Sequence, residues 1–545
     1  MSKKPVRVVI LGAGYAAIRV IMSLRKAIYD GEVEALIINR NNHHTFHGFV
    51  SEMLTGRISP HMITSPSRRI FKPAKLMLGE IEDIDLAGKT VTVSRDMDRK
   101  FFKVPYDHLV ISVGSVTAHV PLSGMDKHGF DLKTYETCLR LRNHLMRIVE
   151  IAANEPDEEE RRRLLTFVVI GGGYAGSEVS GELTDFQSII RTSILKHISP
   201  EDFRVILIHS GEQILPDYAR GPGANGYGNG HPKQVAYAAG YLEKNLGVNI
   251  LRNHRVEAIT PEEVILDDGQ RIPTRTAIPT VGIKTPPLVQ LLPFEREPTR
   301  GRIITEQTLR VPGQTNVWAV GDCAAVPHPV AGVCPPVGVY ATFGGEELGR
   351  NILRQERGEP LVDFVHPGIG QAVSLGRRTV AGEIWGLYTR GFLGWLIAWR
   401  AGLIYFIPTW DRKLRLLADW LIWPFVGRDL VGARDKRPSD FTIHRLHLEP
   451  GDVICQRGQR LPYCYVILDG EVIKECANGQ TVALHRGDSF GFGDSPQPSA
   501  ETFTAKTVVK LARMRQPDAK QLKQVAKNLQ VQPLTETILV EAPTL

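Results

Sequence analysis

Cysteine is scarce in this chain: six occur in 545 residues, and none belongs to a CxxC pair. This pattern argues against a structural zinc site and against a thioredoxin-like redox motif, so we expect reduced thiols and no metal. No uncharged apolar run reaches the ~20 residues that span a bilayer. The N-terminal segment MSKKPVRVVILGAG leaves no room for a signal peptide, and we therefore expect the first domain to face the cytoplasm.

Signatures of nucleic-acid binding are also missing. The sequence contains no RRM, zinc-finger or helix-turn-helix pattern, so its net charge of +7 does not indicate a nucleic-acid partner. A chain of 545 residues exceeds what one hydrophobic core supports, and roughly three or four domains are expected. An apolar fraction of 43% with 23% charged residues predicts that these domains are globular.

Two glycine-rich fingerprints, each following an apolar β-branched run, are the strongest signals present. They read VVILGAGYAAIRVIMSL and TFVVIGGGYAGSEVSGEL, in each case a strand, a tight turn and an amphipathic helix. The first glycine permits the bend, the second leaves space for a pyrophosphate, and the third, small residue lets helix and strand pack closely. These positions are Gly12, Gly14 and Ala17 in the first fingerprint and Gly171, Gly173 and Gly176 in the second. The chain is therefore predicted to hold two dinucleotides, each with its pyrophosphate at a helix N-terminus.

A third segment identifies the first dinucleotide. TNVWAVGD, residues 315–322, reads as a buried strand ending in Gly321 and Asp322, and it resembles the second FAD motif of flavoproteins with two dinucleotide-binding domains. That resemblance implies that Asp322 accepts hydrogen bonds from the ribityl chain. YDHLVISVGS, residues 106–115, resembles the connecting strand before an inserted NAD domain. We therefore predict FAD at the first fingerprint, with Gly114, and a nicotinamide nucleotide at the second.

Six of the seven tryptophans fall within residues 385–423. They are Trp385, Trp395, Trp399, Trp410, Trp420 and Trp423. Residues 385–437 also carry nine Lys or Arg against four Asp, a combination typical of a surface that meets anionic lipid headgroups. From Trp410 onward, charged residues recur every four positions and leucines occupy the opposite face, which predicts an amphipathic helix in the membrane interface. A helical hairpin packed on another subunit is the alternative.

With an FAD motif, an NAD motif and this aromatic stretch in order, residues 5–435 resemble the type II NADH:quinone dehydrogenases. Further matching segments are HHTFHGFVSEMLTGRISPHMI, LRVPGQTNVWAVGDCAAVP and SLGRRTVAGEIWGLYTRGFLGWL. The resemblance implies a non-proton-pumping peripheral membrane flavoprotein that passes hydride from NAD(P)H to FAD and electrons to a membrane quinone. It also implies a homodimer, and it places Glu178, on the second fingerprint helix, near the flavin as the candidate catalytic residue.

Neither fingerprint is followed by the acid that usually binds the adenosine ribose hydroxyls. The corresponding position is Asn39 in the first unit, followed by Arg40, and His209 in the second. We assign Asn39 and Arg40 to the FAD site, and His209 and Gly282 to the NAD(P)H site. Because a carboxylate would repel the extra phosphate of NADPH and His209 would not, we hypothesise that NADPH is accepted at least comparably with NADH.

The segment that corresponds to the family's quinone site also differs from the family pattern. Its members commonly show an Ala-Gln pair with further glutamines after a Pro-Pro, whereas this chain reads PPVGVYATFG at residues 335–344. We assign Pro336, Gly338, Val339 and Phe343 to the quinone site. Val339 replaces the amide and Phe343 offers a stacking surface, which predicts a different quinone or another acceptor. If the purified enzyme reduced ferricyanide but no quinone analogue, the natural acceptor would be something other than a quinone.

After residue 438 the composition changes to short β-rich segments separated by glycine turns, which predicts a small barrel. Residues 441–515 resemble the cyclic-nucleotide-binding jelly roll. Phe492 stands where that family has a ribose-binding Glu, and Ser499 where it has the phosphate-binding Arg. Since a buried phosphate without its cation binds poorly, we predict a degenerate regulatory or interaction module. Micromolar binding of cAMP or cGMP in calorimetry would refute this.

The predicted fold class is α/β, with two Rossmann-type dinucleotide-binding domains, amphipathic membrane-associating helices and a C-terminal β jelly roll. The predicted domains are a discontinuous FAD-binding domain (1–120 and 287–384), an NAD(P)H-binding domain (121–286), membrane-associating helices (385–432), the jelly roll (441–515) and a tail (516–545).

Two rival functions stay open. Disulfide reductases of this fold carry CxxxxC just after the first fingerprint unit, and residues 40–60 contain no cysteine, which excludes them. A sulfide:quinone oxidoreductase needs two cysteines near the flavin, and Cys334 and Cys138 are candidates; the second fingerprint argues against it, since those enzymes need no nicotinamide. The other rival is a weakly catalytic NAD(P)H redox sensor that acts through the C-terminal domain.

Overall fold

The chain divides into two compact units, residues 1–434 and residues 435–545. The computed structural model describes residues 4–95, 100–118, 122–219, 232–329, 331–384, 387–432, 444–458, 463–491 and 499–515. Trp385, Phe492 and the predicted tail 516–545 lie outside the described residues.

A five-stranded parallel sheet is built around the first fingerprint. In spatial order its strands are Val317–Ala319, His108–Ile111, Val6–Leu11, Val33–Asn39 and Lys75–Leu78. The central strands are buried almost throughout, which explains why their sequences are continuous apolar runs rather than alternating ones. Because the strands are parallel, the residues that follow each of them meet at one edge of the sheet.

A second parallel sheet is built around the second fingerprint. Its strands, in spatial order, are Asn249–Arg252, Arg204–His209, Thr166–Ile170 and Thr276–Pro279. The two sheets confirm the predicted α/β dinucleotide-binding architecture. Antiparallel three-stranded sheets accompany them: Glu80–Asp85, Thr90–Ser94 and Phe101–Pro105; Val256–Ile259, Glu263–Leu266 and Arg271–Pro273; Gly370–Ser374, Val380–Ile384 and Leu387–Arg390. Short strand pairs complete the unit: His43–Thr45 with Thr64–Pro66, Val116–Thr117 with Ile283–Lys284, Ile303–Ile304 with Ala324–Ala325, and Pro327–His328 with Gly332–Val333.

Helices cover both parallel sheets. The longer ones are Tyr15–Tyr29, Tyr135–Ala152, Tyr174–Ser193, Pro232–Gly240, Gly338–Glu356 and Trp410–Val426. Shorter α-helices are Val50–Leu54, Ser67–Ile70, Met125–His128, Glu158–Leu164, Pro216–Ala219, Pro287–Leu291, Gly391–Gly394 and Gly402–Phe406. Two π-helical turns, Tyr241–Asn245 and Trp395–Ala401, and the 3₁₀ turns His47–Phe49, Pro60–Ile63 and Pro200–Asp202 complete the set. In the described part of the chain, no helix is both long and apolar enough to cross a bilayer.

The aromatic stretch, described over residues 387–432, buries Trp395 and Trp399 but exposes many of its other apolar side chains. On the helix Trp410–Val426, Leu414 and Leu421 are 62% and 74% exposed, while Asp411 is partly covered and pairs with Arg69 at 3.3 Å. Asp411 and Asp419 are partly covered, while Leu414, Leu417 and Leu421 face outward, as the amphipathic pattern predicts. Arg415 is nevertheless exposed, and Leu416 is the leucine that packs into the core. Exposed apolar side chains on the segments before this helix extend the same surface: Leu387, Tyr388, Phe392, Leu393, Leu396, Ile397 and Tyr405.

The second unit contains two four-stranded antiparallel sheets. One has the order His444–Leu448, Val509–Arg515, Tyr463–Asp469, Ser489–Phe490, and the other has Val453–Cys455, Thr502–Ala505, Val472–Glu475, Thr481–Leu484. Their inner faces share a core in which the rings of Tyr465, Phe490 and Phe503 stack at centroid distances of 4.9 and 4.4 Å. The region is thus antiparallel β, as the turn spacing predicted.

Candidate functional site

The first fingerprint turn links the strand Val6–Leu11 to the helix Tyr15–Tyr29. Gly12 has a φ of +93°, and a Cβ there would lie 2.6 Å from the carbonyl oxygen of Ser112, so this bend requires glycine. Gly14 is the N-cap residue of this helix, and a Cβ built there would meet no atom within 4 Å. The helix N-terminus therefore opens on free space in which its amides can bind a phosphate. Ala17 is fully buried in the packing of this helix.

The other predicted FAD residues converge on the same edge of the sheet. Gly114 follows the strand His108–Ile111, which lies beside Val6–Leu11, and Gly321 follows Val317–Ala319, the next strand out; both glycines have positive φ, +68° and +81°. Asp322 comes directly after Gly321. Positions that are far apart in the sequence are thus neighbours because their strands are parallel and adjacent.

A chain of polar groups leads away from Asp322. Ser115 Oγ donates to the Asp322 carboxylate at 2.7 Å, and Lys133 Nζ donates to Ser115 Oγ at 2.8 Å while lying 4.0 Å from the carboxylate. His47 Nε2 lies 3.0 Å from the carbonyl oxygen of Lys133, and the His47 N–H donates to Tyr15 Oη at 3.1 Å. The sequence did not indicate a role for Lys133 or His47: Lys133 belongs to no motif, and His47 lies in the family-like segment HHTFHGFVSEMLTGRISPHMI, which assigns it no contact.

A buried histidine adjoins the first turn. Burial lowers the pKa of His44 to about 3, so its imidazole is neutral. Its Nδ1 lies 3.3 Å from the carbonyl oxygen of Ala13, and its buried Nε2 has no hydrogen-bond partner among the described atoms. The two residues predicted to bind the adenosine end lie at the strand end: Asn39 donates to its own turn at 2.7 Å, and Arg40 is 70% exposed beside Glu80.

The second fingerprint turn repeats the geometry of the first. Gly171 has a φ of +110°, and Gly173 caps the helix Tyr174–Ser193 at a position where a Cβ would meet no atom within 4 Å. At Gly176 a Cβ would lie 1.8 Å from the carbonyl oxygen of Gly171, so helix and turn approach too closely for any side chain. Thr280 Oγ1, which sequence reasoning missed, donates to that carbonyl at 2.9 Å.

His209 is the last residue of the strand next to this turn, and its side chain contacts the turn. Its Nδ1 accepts the N–H of Gly172 at 3.3 Å. Burial lowers the pKa of His209, a hydrogen bond to the backbone of Gln213 opposes this, and the charge of Arg252 adds to the lowering. The ring is therefore neutral, and its Nδ1 is used in the hydrogen bond from the Gly172 N–H. Gly282 lies past the strand Thr276–Pro279 with φ +58°, and its carbonyl accepts the N–H of Ala118 at 3.3 Å.

Glu178 lies one turn into the second fingerprint helix and is half-buried. Loss of solvation raises its pKa to about 8, the carboxylate of Glu52 adds to the rise, and a backbone hydrogen bond at Ser374 opposes it. Glu178 is thus mostly protonated at neutral pH and can donate or hold a proton there. A perturbed carboxyl of this kind is a candidate acid-base group.

The predicted quinone residues flank the start of the helix Gly338–Glu356. Pro336 and Val339 are half-buried, and Gly338 is exposed beside Tyr15 of the first fingerprint, whose ring carbons lie 3.9 Å from where a Cβ would stand. Phe343 lies further along the helix, and its ring stacks on His366 with centroids 4.1 Å apart. One face of Phe343 is therefore already covered. Val339 and Phe343 are four residues apart on this helix, so Phe343 lies on the same helix face as Val339, one turn further on.

The two cysteines of the rival assignment lie in different hydrophobic cores. Cys334 belongs to the core of the first parallel sheet and Cys138 to that of the second, and both are free thiols. Burial raises the pKa of each to about 12, which makes both poor nucleophiles. In the C-terminal unit, Ser499 lies in a turn in which its Oγ accepts the N–H of Glu501 at 3.2 Å.

Comparison with known proteins agrees with this geometry. The profile of the pyridine nucleotide-disulphide oxidoreductases matches residues 6–335. The chain is 27% identical over 433 residues to the type II NADH:quinone oxidoreductase NdhA of Mycobacterium tuberculosis, covering 77% of this chain and 87% of the relative. It is also 27% identical over 466 residues to the internal alternative NAD(P)H-ubiquinone oxidoreductase A1 of Arabidopsis thaliana, covering 79% and 86%.

A solved structure shows the same fold. NDH2 from Plasmodium falciparum in complex with NADH superposes with a TM-score of 0.69 at 17% identity, covering 79% of this chain and all of that one. The resemblance inferred from the fingerprints is confirmed by these relatives.

Proposed function

We propose that this chain, which belongs to the pyridine nucleotide-disulphide oxidoreductase family, is an NAD(P)H:quinone oxidoreductase that uses FAD. The observation that carries the proposal is the repeated turn, in which Gly14 and Gly173 each open a helix N-terminus onto free space. The relatives named for NADH or NAD(P)H and a quinone support the same reaction.

The residues at the first turn fit FAD. The free space at Gly14 suits its pyrophosphate, and the Asp322 carboxylate, held by Ser115, suits a ribityl hydroxyl. The buried, unpartnered Nε2 of His44 leaves a polar atom available near the turn. When bound, the flavin supplies the capacity to accept a hydride and pass on electrons.

The protein's own residues would orient the reactants and manage protons. Gly171 and Gly173 shape the second turn for the nicotinamide nucleotide, and Glu178 retains a proton near neutrality. Pro336, Gly338 and Val339, which adjoin Tyr15, are our proposed quinone contacts. Anaerobic reduction of the purified protein by NADH or NADPH, followed by reoxidation with a quinone series, tests the function. Absence of reoxidation by every quinone would overturn it.

The buried thiols disfavour the sulfide:quinone oxidoreductase alternative, which predicts flavin bleaching by sulfide. The redox-sensor alternative predicts binding of FAD and NAD(P)H with negligible steady-state turnover, so the same reoxidation experiment separates it from the enzyme.

NADPH should be used at least comparably with NADH, because His209 presents no negative charge to the adenosine ribose. Replacing His209 with aspartate should lower kcat/KM for NADPH by at least about tenfold and change that for NADH by less than about threefold, through repulsion of the extra phosphate. His209→Asn is the matched control, since its amide can also accept the N–H of Gly172 without charge. Steady-state kinetics with both nucleotides measures this. A wild-type efficiency for NADPH a hundredfold below that for NADH would contradict the hypothesis.

We also propose that the aromatic stretch docks the chain on an anionic membrane as a peripheral protein, on the cytoplasmic face. The support is its outward leucine and aromatic surface together with its excess of basic residues. A homodimer through this region is a further proposal, carried by the family resemblance.

Removing exposed apolar side chains from this surface should release the protein from vesicles. Leu393→Glu and Leu421→Glu, at positions 66% and 74% exposed, should each lower partition onto anionic phosphatidylserine vesicles by at least about tenfold, because a charge would enter the apolar layer. Leu291→Glu is the matched control, at an apolar position 78% exposed outside the stretch. Co-sedimentation measures the partition. Equal loss in all three variants would contradict a specific docking surface.

We propose the domain bounds that the sequence predicts. For the C-terminal unit we propose a degenerate cyclic-nucleotide-binding-like module with a regulatory or interaction role. Its two antiparallel sheets support this, as does a hydroxyl rather than a guanidinium at position 499. Calorimetry with cAMP and cGMP should detect no micromolar binding.

A further inference from the structure

The carboxylate of Asp322 is held by side chains from two other segments of the chain. Ser115 Oγ donates to Asp322 Oδ2 at 2.7 Å, and Lys133 Nζ donates to Ser115 Oγ at 2.8 Å. Lys133 Nζ also lies 4.0 Å from Asp322 Oδ2. Within the described residues, no other Lys, Arg or His side chain comes that close to Asp322. The Lys133 ammonium therefore acts on this carboxylate both directly and through a hydroxyl.

The two carboxylate oxygens of Asp322 differ in their hydrogen bonds. Oδ2 accepts the Ser115 hydroxyl, whereas Oδ1 accepts no hydrogen bond from the described part of the chain. Since a hydroxyl has one proton to donate, Ser115 gives it to Oδ2 and accepts the Lys133 ammonium with a lone pair. Oδ1 is therefore the oxygen that can accept a hydroxyl from a ligand.

These three groups adjoin the turn that we assign to FAD. The aspartate follows a residue that packs on the first fingerprint helix: a Cβ built at Gly321 would lie 3.8 Å from the Cβ of Ala16. The segment that carries Ser115 passes close to the turn itself, since a Cβ built at Gly12 would lie 3.1 Å from Val113 Cα. The lysine therefore reaches the edge of the sheet at which the first fingerprint turn and the aspartate meet.

The backbone of Lys133 is fixed independently of its ammonium group. Its N–H donates to Asp131 Oδ2 at 3.2 Å, and its carbonyl oxygen lies 3.0 Å from His47 Nε2. Asp131 is itself held by Thr117 Oγ1, which donates to Oδ1 at 2.6 Å. Lys133 precedes the helix Tyr135–Ala152 by two positions. Because these bonds use only the backbone of Lys133, its side chain can be changed without removing them.

We propose that Lys133 is a positioning residue for FAD, because with Ser115 it fixes the Asp322 carboxylate so that Oδ1 can accept a ribityl hydroxyl. The proposal rests on the FAD site of the proposed function. Without the ammonium, Ser115 Oγ loses its donor and Asp322 loses the cation 4.0 Å away, so the carboxylate is free to turn. The side chains of Lys133 and Asp322 are only 27% and 22% exposed, so salt screens this pair less than a surface pair.

The release of FAD from the diluted holoprotein, followed by the fluorescence of free flavin, tests the proposal. Lys133→Met removes the charge but keeps a side chain of similar length, and it should raise the FAD dissociation constant by at least about tenfold. Lys133→Arg keeps a cation that can reach Ser115, so it should bind FAD more tightly than Lys133→Met. Lys127→Met, at an exposed lysine of the helix Met125–His128, is the matched control and should change the constant by less than about twofold.

A double-mutant cycle with Asp322→Asn separates an effect through the carboxylate from a general loss of structure. Asp322→Asn should itself weaken FAD binding. Adding Lys133→Met to it should raise the dissociation constant by less than about threefold more, because the lysine then has no carboxylate to position. A lysine that only stabilised the fold would have the same effect in both backgrounds.

An unchanged dissociation constant in Lys133→Met, or equal losses in the two backgrounds, would overturn the proposal. If Lys133→Met does not fold, Ser115→Ala takes its place: it removes the hydroxyl between the two charges and should raise the constant by at least about threefold, and unchanged affinity would again overturn the proposal. The readout needs neither NAD(P)H nor a quinone. A wild-type protein that bound no FAD would instead contradict the proposed function, so the two failures are distinguishable.

Discussion

Replacing Gly173 with valine is expected to reduce kcat/KM for NADH and NADPH by more than about a hundredfold while FAD remains bound. The backbone at Gly173 has a φ of −78°, which any residue adopts, and a Cβ there meets no atom within 4 Å. The variant should therefore fold. The added side chain would fill the space at the helix N-terminus that a pyrophosphate needs, so the loss falls on nucleotide binding.

Stopped-flow reduction of the flavin by NADH measures this effect, and dithionite should still reduce the flavin fully. Gly14→Val is the matched variant, because position 14 has the same open surroundings in the first turn. It should lose FAD itself and retain the fold. Normal reduction by NADH in Gly173→Val would show that the second turn does not hold the nucleotide.

Replacing Arg428 with methionine is expected to lower the free energy of unfolding by about 3–5 kcal/mol. The Arg428 side chain is 1% exposed, lies 3.2 Å from Glu182 and 2.5 Å from Asp185, and donates to the carbonyl oxygen of Thr55 at 3.3 Å. Methionine has a similar length but no charge, so two buried carboxylates would share only Arg57. Chemical denaturation of the purified holoprotein measures the change.

Arg415→Met serves as the control for this change, since it removes a guanidinium from the exposed side of the same stretch. Its effect should stay within about 0.5 kcal/mol, as for most surface substitutions. If both variants had equal effects, the stability would come from the overall charge of the stretch rather than from the buried pairing of Arg428 with Glu182 and Asp185.

Much of the dinucleotide architecture was predictable because its chemistry is local. The bend at Gly12, the open cap at Gly14 and the close approach at Gly176 depend on residues within one strand–turn–helix unit, and sequence spacing therefore records them. Asp322 was predictable only through resemblance, because its place beside the first turn results from strand order. The sequence after Trp410 also predicted an amphipathic helix and indicated which of its faces is apolar.

The ion pairs were not predictable, because they join distant segments. Glu52 and Arg400 form a buried salt bridge, with Arg400 Nη2 2.5 Å from Glu52 Oε2, but most of the unit separates them in the sequence. Glu52 lies in the family-like segment HHTFHGFVSEMLTGRISPHMI, and nothing in that segment indicates its partner. Lys133 likewise reaches Ser115 only after the chain has crossed between the two parallel sheets. Glu178 was predicted as a site residue, but its raised pKa depends on Glu52 and on burial, which no local pattern contains. His209 was expected to leave the ribose site neutral, and the structure adds that it braces Gly172.

The anchoring of the aromatic stretch to the body of the unit limits how its exposed apolar surface can be removed. Besides Arg400 and Arg428, the stretch returns to the body where Arg142 pairs with Asp429 at 3.4 Å and donates to the carbonyl oxygen of Val431. Trimming the stretch would remove the arginines that pair with buried Glu52, Glu182 and Asp185, and we expect it to destabilise the remaining core. Replacing only the outward leucines and aromatics with polar side chains keeps these inner attachments. Solubility should therefore be sought by redesigning the outer face rather than by truncation.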